Sequence, residues 1–143
     1  MSLKLDALVE AFEVEEALDK SGYVLTFGTG PKKCKKATSA STAILGFAFM
    51  STKNPITGTP ESGVMVGVIK PRRGIVIDVP VTPKANRTTN IEYGDVVVVD
   101  DAVAGTICHD DDSTGVAIGY AREALAADAD PEDGMLEVEI NVG

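Results

Sequence analysis

The segment STGVAIGYAREALA, residues 113–126, has the apolar character of a buried strand, yet a glycine interrupts it. The segment STAILGFAFMS, residues 41–51, repeats its order of aliphatic residues, a glycine, an aromatic residue and an alanine. A glycine within a strand pattern usually marks a bulge or a close approach of another backbone. We therefore predict that Gly46 and Gly119 are structural glycines at equivalent bends of two strands; glycines that line a ligand pocket are the alternative.

Two further pairs of glycines repeat at nearly the same distance, each just before a strand-like apolar segment. The three pairs are Gly22 and Gly94, Gly46 and Gly119, and Gly63 and Gly134, with offsets of 72, 73 and 71 residues. A period of this length is too long for a solenoid repeat. It predicts two copies of a small β-unit that pack together or close into one barrel-like domain; chance matching in a glycine-rich chain is the alternative.

Three segments have the periodicity of strands. In MLEVEI, residues 135–140, apolar residues alternate with acidic ones, which is typical of a half-buried strand. VVVV, residues 96–99, is apolar on both faces and indicates a strand buried on both sides. GIVIDVPV, residues 74–81, also alternates, but Pro80 cannot donate a ladder hydrogen bond, so this strand is expected to lie at an edge or to end there.

The chain is therefore predicted to be mainly β, as a compact β-barrel or β-tulip-like domain built from two similar units. A single β domain covers residues 22–143, with repeat-like halves at residues 22–70 and 94–142 and a connecting strand at 74–82. Residues 1–21 precede it as an N-terminal arm, which is read as a short helix or as a strand because its apolar spacing fits either.

The composition restricts the classes of partner. The 143 residues include 22 acidic and 13 basic side chains, for a formal charge of −9, which argues against nonspecific binding to nucleic acid. No apolar run approaches the roughly 18 residues of a membrane span, and the N-terminus lacks the pattern of a signal peptide, so we expect a soluble protein with no membrane partner. The acidity serves solubility or adaptation to high salt; nine lysines favour the first.

No motif predicts a cofactor, a metal or a catalytic residue. HDDD, residues 109–112, and DADPED, residues 128–133, are read as solvated acidic turns; a divalent cation bound by the first is the alternative. The second lacks the residue order of a calcium loop. Ser113, near the single histidine His109, lies in no G-x-S-x-G motif, and Asp78 has no identifiable base or second carboxylate at a related position. Cys34 and Cys108 are expected to be reduced thiols because they lack metal or disulfide spacing.

Basic residues cluster in the first copy where the second copy is acidic. They are Lys32, Lys33, Lys35 and Lys36, which correspond to the region before HDDD, followed by Lys70, Arg72 and Arg73. Such a bipolar molecule is suited to docking head-to-tail with itself or onto an acidic partner surface. Two solvated turns are the alternative.

The chain resembles a known family in these motifs. GDVV at residues 94–97, KA at 36–37, LGFA at 45–48, IGYA at 118–121 and VEI at 138–140 are similar to the strand, turn and glycine motifs that occur twice in the small β-rich capsid (head) decoration proteins of tailed bacterial and archaeal viruses. The resemblance covers residues 22–142. The chain differs from the family in its extra segment at residues 1–20 and in a longer loop at residues 54–63.

This resemblance implies a non-enzymatic virion protein that is assembled in the host cytoplasm and binds the outer surface of an icosahedral head. It implies a homotrimer that clamps neighbouring subunits of the major capsid protein and stabilises the shell. The residues expected to contact the capsid or other copies are Leu5, Leu8, Phe12, Lys32, Lys33, Arg72 and Arg73. A small β-barrel that binds a ligand or carbohydrate is the alternative, followed by an enzyme whose site forms between subunits.

Overall fold

The computed structural model describes residues 8–142. Within that range the chain forms ten strands and one 3-10 helix, Lys84–Asn86, and no α-helix, so the prediction of a mainly β chain is confirmed. The strands are β1 (Val9–Val14), β2 (Val24–Phe27), β3 (Lys33–Lys36), β4 (Gly46–Ala48), β5 (Met65–Ile69), β6 (Val76–Pro80), β7 (Val96–Val99), β8 (Ile107–His109), β9 (Ala117–Ala121) and β10 (Met135–Ile140).

The first five strands form a closed barrel in the order β1-β3-β2-β4-β5. β1 pairs antiparallel with β5 from Val9 to Glu13 and parallel with β3 through Glu13 and Val14. Closure of the barrel leaves its first and last strands paired on both sides. The interior is filled by apolar side chains from all five strands and the adjoining turn: Phe12, Val14, Leu18, Tyr23, Leu25, Cys34, Ala48, Val66 and Val68.

The last five strands form a second sheet with the same topology. Their order is β6-β10-β9-β7-β8. Followed around the closed barrel from β1 by way of β5, the first unit has the order β1-β5-β4-β2-β3, so each strand of the second sheet lies five places later in the chain. Two of the predicted glycine pairs occupy turns with positive φ in both units: Gly22 and Gly94 at 84° and 90°, and Gly63 and Gly134 at 74° and 71°. The prediction of a domain built from two similar β-units is therefore confirmed.

The second unit differs from the first where its barrel would close. In the first unit the Glu13 N–H donates to the Lys32 carbonyl at 2.8 Å, which joins β1 to β3. Pro80 occupies the same register against β10 that Glu13 occupies against β5. Because proline has no N–H, β6 meets β8 only beyond the proline, at a bridge between Val81 and Ile107. The strand ends at Pro80, as its sequence predicts.

The first unit fills the opening that results. Gly105, just before β8, accepts a hydrogen bond from the Val24 N–H at 3.0 Å and donates one to the Ala37 carbonyl at 2.7 Å. Gly22 lies so close to β6 that a Cβ on it would be 2.1 Å from the Asp78 carbonyl oxygen. The second core thus contains Val24, Ala37 and Phe47 of the first unit beside Val79, Val81, Ile91, Val97, Val99, Ile107, Ile118, Ala121, Leu136, Val138 and Ile140. This shared core makes the two units one domain.

The described part of the predicted N-terminal arm belongs to the barrel. Phe12 and Val14 alternate with glutamates and point into the core, which is the period of a strand and not of a helix. Over residues 8–21 the structure therefore corrects the arm predicted at residues 1–21, since β1 closes the first unit. It also shows that the connecting strand predicted at residues 74–82 is β6, the first strand of the second unit. Each unit begins one strand earlier than its predicted half.

Gly46 and Gly119 both lie where two backbones approach closely. A Cβ on Gly46 would lie 2.1 Å from the Ile69 carbonyl oxygen, and one on Gly119 would lie 2.0 Å from the Glu139 carbonyl oxygen. The register of β7 against β9 also shifts next to Gly119. A backbone oxygen cannot rotate away as a side chain can, so each position excludes every residue larger than glycine without movement of a strand.

We expect Gly119→Ala to lower the free energy of unfolding by about 3 kcal/mol, because the new methyl group displaces β10 or β9. Gly30→Ala is the matched control, since a Cβ there makes only an ordinary contact of 3.6 Å with the Lys33 side chain. Urea denaturation of both variants measures the difference. A loss for Gly119→Ala no larger than that for Gly30→Ala would contradict the close approach.

Candidate interaction surfaces

The predicted lysine contacts lie together beside β1, where they pair with its glutamates. Lys32 forms an ion pair with Glu10, Lys70 lies 3.2 Å from the same carboxylate, and Lys33 lies 3.5 Å from Glu13. Hydrogen bonds from Lys32 and then Lys70 lower the pKa of Glu10 below its usual value. Much of the charge of this basic cluster is therefore balanced within the barrel.

The structure separates the remaining predicted contacts. Phe12 is only 7% exposed and packs in the first core, so it offers no surface to a partner. Leu8 is half-buried at the start of β1, and Leu5 lies outside the described residues. Arg72 and Arg73 are exposed in the turn between β5 and β6, which is the junction of the two units.

The acidic turn after β8 is held by local contacts. His109 Nδ1 accepts a hydrogen bond from the Asp111 N–H at 3.0 Å, and its Nε2 lies 3.3 Å from a carboxylate oxygen of Asp95. The possible ligand atoms of His109, Asp110 and Asp111 lie within 4.8 Å of one another. Both ring nitrogens already face protein groups, so the arrangement favours a hydrogen-bonded turn over a cation site.

Asp112 fastens this turn to the loop before β7. Its two carboxylate oxygens accept hydrogen bonds from the N–H and hydroxyl groups of both Thr88 and Thr89, at 2.7 to 3.2 Å. Partial burial raises the pKa of Asp112, but the four hydrogen bonds together outweigh it, and the pKa is lowered. One member of the predicted HDDD cluster is thus a structural group.

A buried arginine, which no sequence pattern indicated, organises the second acidic loop. The Arg87 side chain is fully buried; its Nε donates to the Thr82 carbonyl at 2.8 Å and its Nη1 to the Ala126 carbonyl at 3.0 Å. Its Nη2 donates to the Ala129 carbonyl and lies 3.5 Å from Asp130. The DADPED loop is therefore anchored by a cation from a distant part of the chain, and its carboxylates do not converge on a common centre.

The thiol and hydroxyl groups of Cys34, Cys108 and Ser113 are buried or hydrogen-bonded. Burial raises the pKa of Cys34 to about 11 and also raises that of Cys108, whose thiol lies beside Asp100. The Ser113 hydroxyl donates to the Val99 carbonyl at 2.8 Å and accepts from the Gly115 N–H. Burial keeps the two thiols protonated, and the Ser113 hydroxyl is already used in hydrogen bonds within the chain.

Two open grooves lie on the first unit and its border with the second. One, of about 480 Å³, is lined by Asp19, Lys20, Ser21, Phe49, Met50, Ser51, Asp133 and Met135. The other, of about 560 Å³, is lined by Glu16, Thr26, Phe27, Lys35, Lys36, Thr38, Ala40, Ser41, Thr42, Ala43 and Ala104. Each presents an exposed phenylalanine beside a lysine, a combination suited to binding a partner.

The first groove continues onto an exposed apolar area that sequence patterns did not reveal. Phe49, Met50 and Met65 are 54%, 51% and 61% exposed. The Phe49 N–H donates to the Gly67 carbonyl at 2.8 Å, and the Phe49 side chain lies across this glycine on the outer face of β5. We call Phe49, Met50 and Met65 the Phe49 patch.

We expect Asp112→Ala to lower the free energy of unfolding by about 1 kcal/mol at pH 7, a modest value because the carboxylate is partly exposed. The pKa of Asp112 is lowered on folding, so its stabilisation is complete above the ordinary value of 3.8 and is lost as the pH falls through the folded value. Denaturation from pH 7 to pH 2 measures this.

The variant and the wild type should therefore converge in stability as the pH falls through the folded pKa of Asp112, which lies below 3.8. Asp128→Ala, at an exposed carboxylate in the other acidic loop, is the control and should change stability little at any pH. A difference between wild type and Asp112→Ala that persists unchanged at pH 2 would show that the carboxylate charge is not what holds the turn.

Comparison with known proteins identifies the fold. Within residues 8–142 there is no helix long and apolar enough to cross a membrane. No protein-family model matches the sequence, and no curated protein matches it. Among solved structures, the chain is similar to a chain of "The capsid of Myoviridae Phage XM1", with a TM-score of 0.56 and 21% sequence identity over 93% of this chain and 82% of that one. The two chains share a fold.

Proposed function

We propose that this chain is a non-enzymatic decoration protein of a tailed-virus head, which binds the outside of the icosahedral shell and clamps neighbouring subunits of the major capsid protein. The observation that carries the proposal is the fold shared with a chain of a phage capsid over 93% of the residues. The duplicated strand and glycine motifs, which resemble those of capsid decoration proteins, support the same function. The protein would then reside in the virion and act as a homotrimer.

The architecture is suited to a clamp. Both units share one core, and loops that would otherwise be mobile are fastened by side chains such as Arg87 and Asp112. A rigid domain loses little conformational entropy when it binds, so more of its contact energy is available to hold neighbouring subunits together. The engaged hydroxyl of Ser113 and the buried thiols also favour a structural function over catalysis.

The second candidate is a module that binds a small ligand or carbohydrate. The groove beside Phe27 favours it, because an exposed aromatic ring there adjoins the hydroxyl groups of Thr38, Ser41 and Thr42. Aromatic faces and hydroxyl groups are the usual means of binding sugars in open grooves. Binding of glycans that is lost in Phe27→Ala, with no binding to shells, would favour this candidate.

The test of the proposed function is binding to viral shells. We expect the purified protein to co-sediment with heads of the virus that encodes it and to saturate at a fixed ratio to the major capsid protein. Cryo-electron microscopy of decorated heads should place it on the outer surface, and sedimentation of the free protein should give three times the monomer mass. Absence from the heads would overturn the proposal; a stable monomer would overturn the homotrimer.

A further inference from the structure

The second of the two grooves, which we call the Phe27 groove, lies where the first unit meets the second. Ten of its eleven lining residues belong to the first unit, and the eleventh is Ala104, from the loop between β7 and β8. Its volume of about 560 Å³ lies within the range of roughly 300 to 1,000 Å³ in which proteins hold small molecules. The groove therefore has room for a small polar ligand.

Hydrogen bonds fix the walls of this groove. The Thr26 hydroxyl donates to the Ala43 carbonyl at 2.7 Å, which holds the loop before β4 against β2. Within that loop the Thr38 N–H donates to the Ser41 hydroxyl at 3.0 Å. A site whose walls are already ordered loses less conformational entropy when a ligand binds, so more of the contact energy becomes affinity.

Three polar side chains of the groove have no partner in the chain. Lys35, Thr38 and Thr42 are exposed, and within residues 8–142 their ammonium and hydroxyl groups form no hydrogen bond or ion pair. Lys35 lies directly opposite Thr26 in the pairing of β3 with β2, and the next residue, Phe27, is 57% exposed. An ammonium group, two hydroxyl groups and an aromatic ring are thus available to one ligand.

The groove carries a positive charge. Its charged residues are Glu16, Lys35 and Lys36, which sum to +1 in a chain with a formal charge of −9. Glu16 accepts a hydrogen bond from the Lys36 N–H at 3.0 Å, and Lys36 Nζ lies 4.4 Å from the centre of the Tyr23 ring; both side chains keep their charges in these contacts. Lys35 is the lysine of the groove that no side chain of residues 8–142 engages, so a ligand with one negative group beside Lys35 fits this charge.

The surroundings of the groove limit the length of such a ligand. Residues 8–73 contain nine basic and six acidic side chains, for a formal charge of +3, whereas residues 74–142 contain three basic and fifteen acidic ones, for a formal charge of −12. Because Ala104 belongs to the second unit, a long polyanion that leaves the groove on this side meets a strongly acidic domain, which repels it. A short ligand with one acidic group avoids this repulsion.

The groove gives no strand edge to an extended peptide. β3 pairs with β1 on one side and β2 on the other, and β2 pairs with β3 and β4. The Lys36 N–H, which lies beyond the pairing with β1, is used by Glu16. Since peptides are commonly bound by adding a strand to a free edge, an aromatic ring beside hydroxyl groups favours a saccharide over an acidic peptide here.

We propose that the Phe27 groove binds a short saccharide that carries a carboxylate group. The C–H groups on one face of a sugar ring pack against the electron-rich face of Phe27, the hydroxyl groups of Thr38 and Thr42 bond to those of the sugar, and the Lys35 ammonium group pairs with the carboxylate. The proposal rests on the second candidate function and adds the acidic class of the ligand. It needs no contact with the viral shell, so it and the decoration function can fail separately.

The first experiment measures binding to an array of oligosaccharides that end in glucuronic, galacturonic or sialic acid, beside the same oligosaccharides with the carboxylate converted to its methyl ester. The ester keeps the sugar face and the hydroxyl groups but removes the negative charge. We expect the protein to bind at least one of the acids at least tenfold more tightly than its ester, because the ester loses a charge-assisted hydrogen bond. High salt should reduce this difference.

Substitution of the aromatic ring tests the contact with the sugar face. Phe27→Ala should weaken binding of both the acid and its ester at least tenfold, because the two ligands share this contact. Tyr93→Ala is the matched control: it removes an aromatic side chain that is 67% exposed on the second unit and should change binding less than twofold. Isothermal titration calorimetry gives the affinities. Both aromatic residues are exposed, so equal melting temperatures will show that folding is unaffected.

Substitution of the lysine tests the contact with the carboxylate. Lys35→Gln should lower the affinity for the acid to about that for the ester and leave the affinity for the ester unchanged. Lys53→Gln makes the same change in charge at another exposed lysine of the first unit, outside the groove, and should preserve the preference for the acid.

Each outcome decides for or against the groove. Absence of binding to every acid on the array overturns the proposal and leaves the decoration function standing. Equal affinity for acids and esters, or a preference for the acid that survives Lys35→Gln, overturns the pairing of Lys35 with a carboxylate. Binding that is unchanged in Phe27→Ala overturns the groove as the site. If the wild type binds no saccharide and Phe27→Ala abolishes its binding to viral heads, the groove belongs to the capsid contact and the saccharide is overturned.

Discussion

The missing N–H of Pro80 is the constraint on which the arrangement of the two units depends. In the first unit a backbone hydrogen bond at the equivalent position, Glu13, closes the barrel. In the second unit that bond cannot form. The first unit occupies the space between β6 and β8, where its Gly22 lies against β6 and its Val24 and Ala37 form hydrogen bonds with Gly105, just before β8. The duplication has thus produced one complete barrel and one that is completed by its neighbour.

This constraint explains why the units share a core. A β-unit of about 65 residues buries only about 60% of the surface that its unfolded chain exposes, less than a larger domain does, and is marginally stable alone. The aromatic ring of Phe47, which belongs to the first barrel, is fully buried in the second core. Its counterpart in the second unit, Tyr120, is partly exposed, because no further unit follows whose core could enclose its ring. Equivalent positions in the repeat have therefore acquired different environments.

The strands and the duplication were predictable because their signals are local. Alternation in MLEVEI, the apolar run VVVV and the three glycine pairs each depend on residues within one segment or on a fixed spacing. The N-terminal strand was not, since VEAFEV has apolar spacing that fits a helix as well, and only the pairing with β5 decides between them. The start of the second unit was missed because GIVIDVPV indicates a strand, but only its pairing with β10 shows that this strand belongs to the second unit.

The surfaces were less predictable, because they depend on which distant residues meet. Lys32 appeared to be a free contact residue, but the parallel pairing of β1 with β3 brings it to Glu10. The burial of Arg87 could not be predicted from the sequence, because its partners are backbone carbonyl groups, which every residue possesses. The Phe49 patch was hidden within an apolar run, where a phenylalanine facing outward cannot be distinguished from one facing the core.

The dependence of the second core on the first unit also bears on the order in which the two units are synthesised. A ribosome makes the chain from its N-terminus, and domains can fold as they emerge. The strands from β1 to β5 pair only with each other, so the first barrel needs no strand of the second unit to close. The second core, in contrast, requires Val24 and Phe47 of the first unit. The order of the two copies in the gene therefore matches the order in which each is needed, and exchanging them would present the ribosome with the incomplete barrel first.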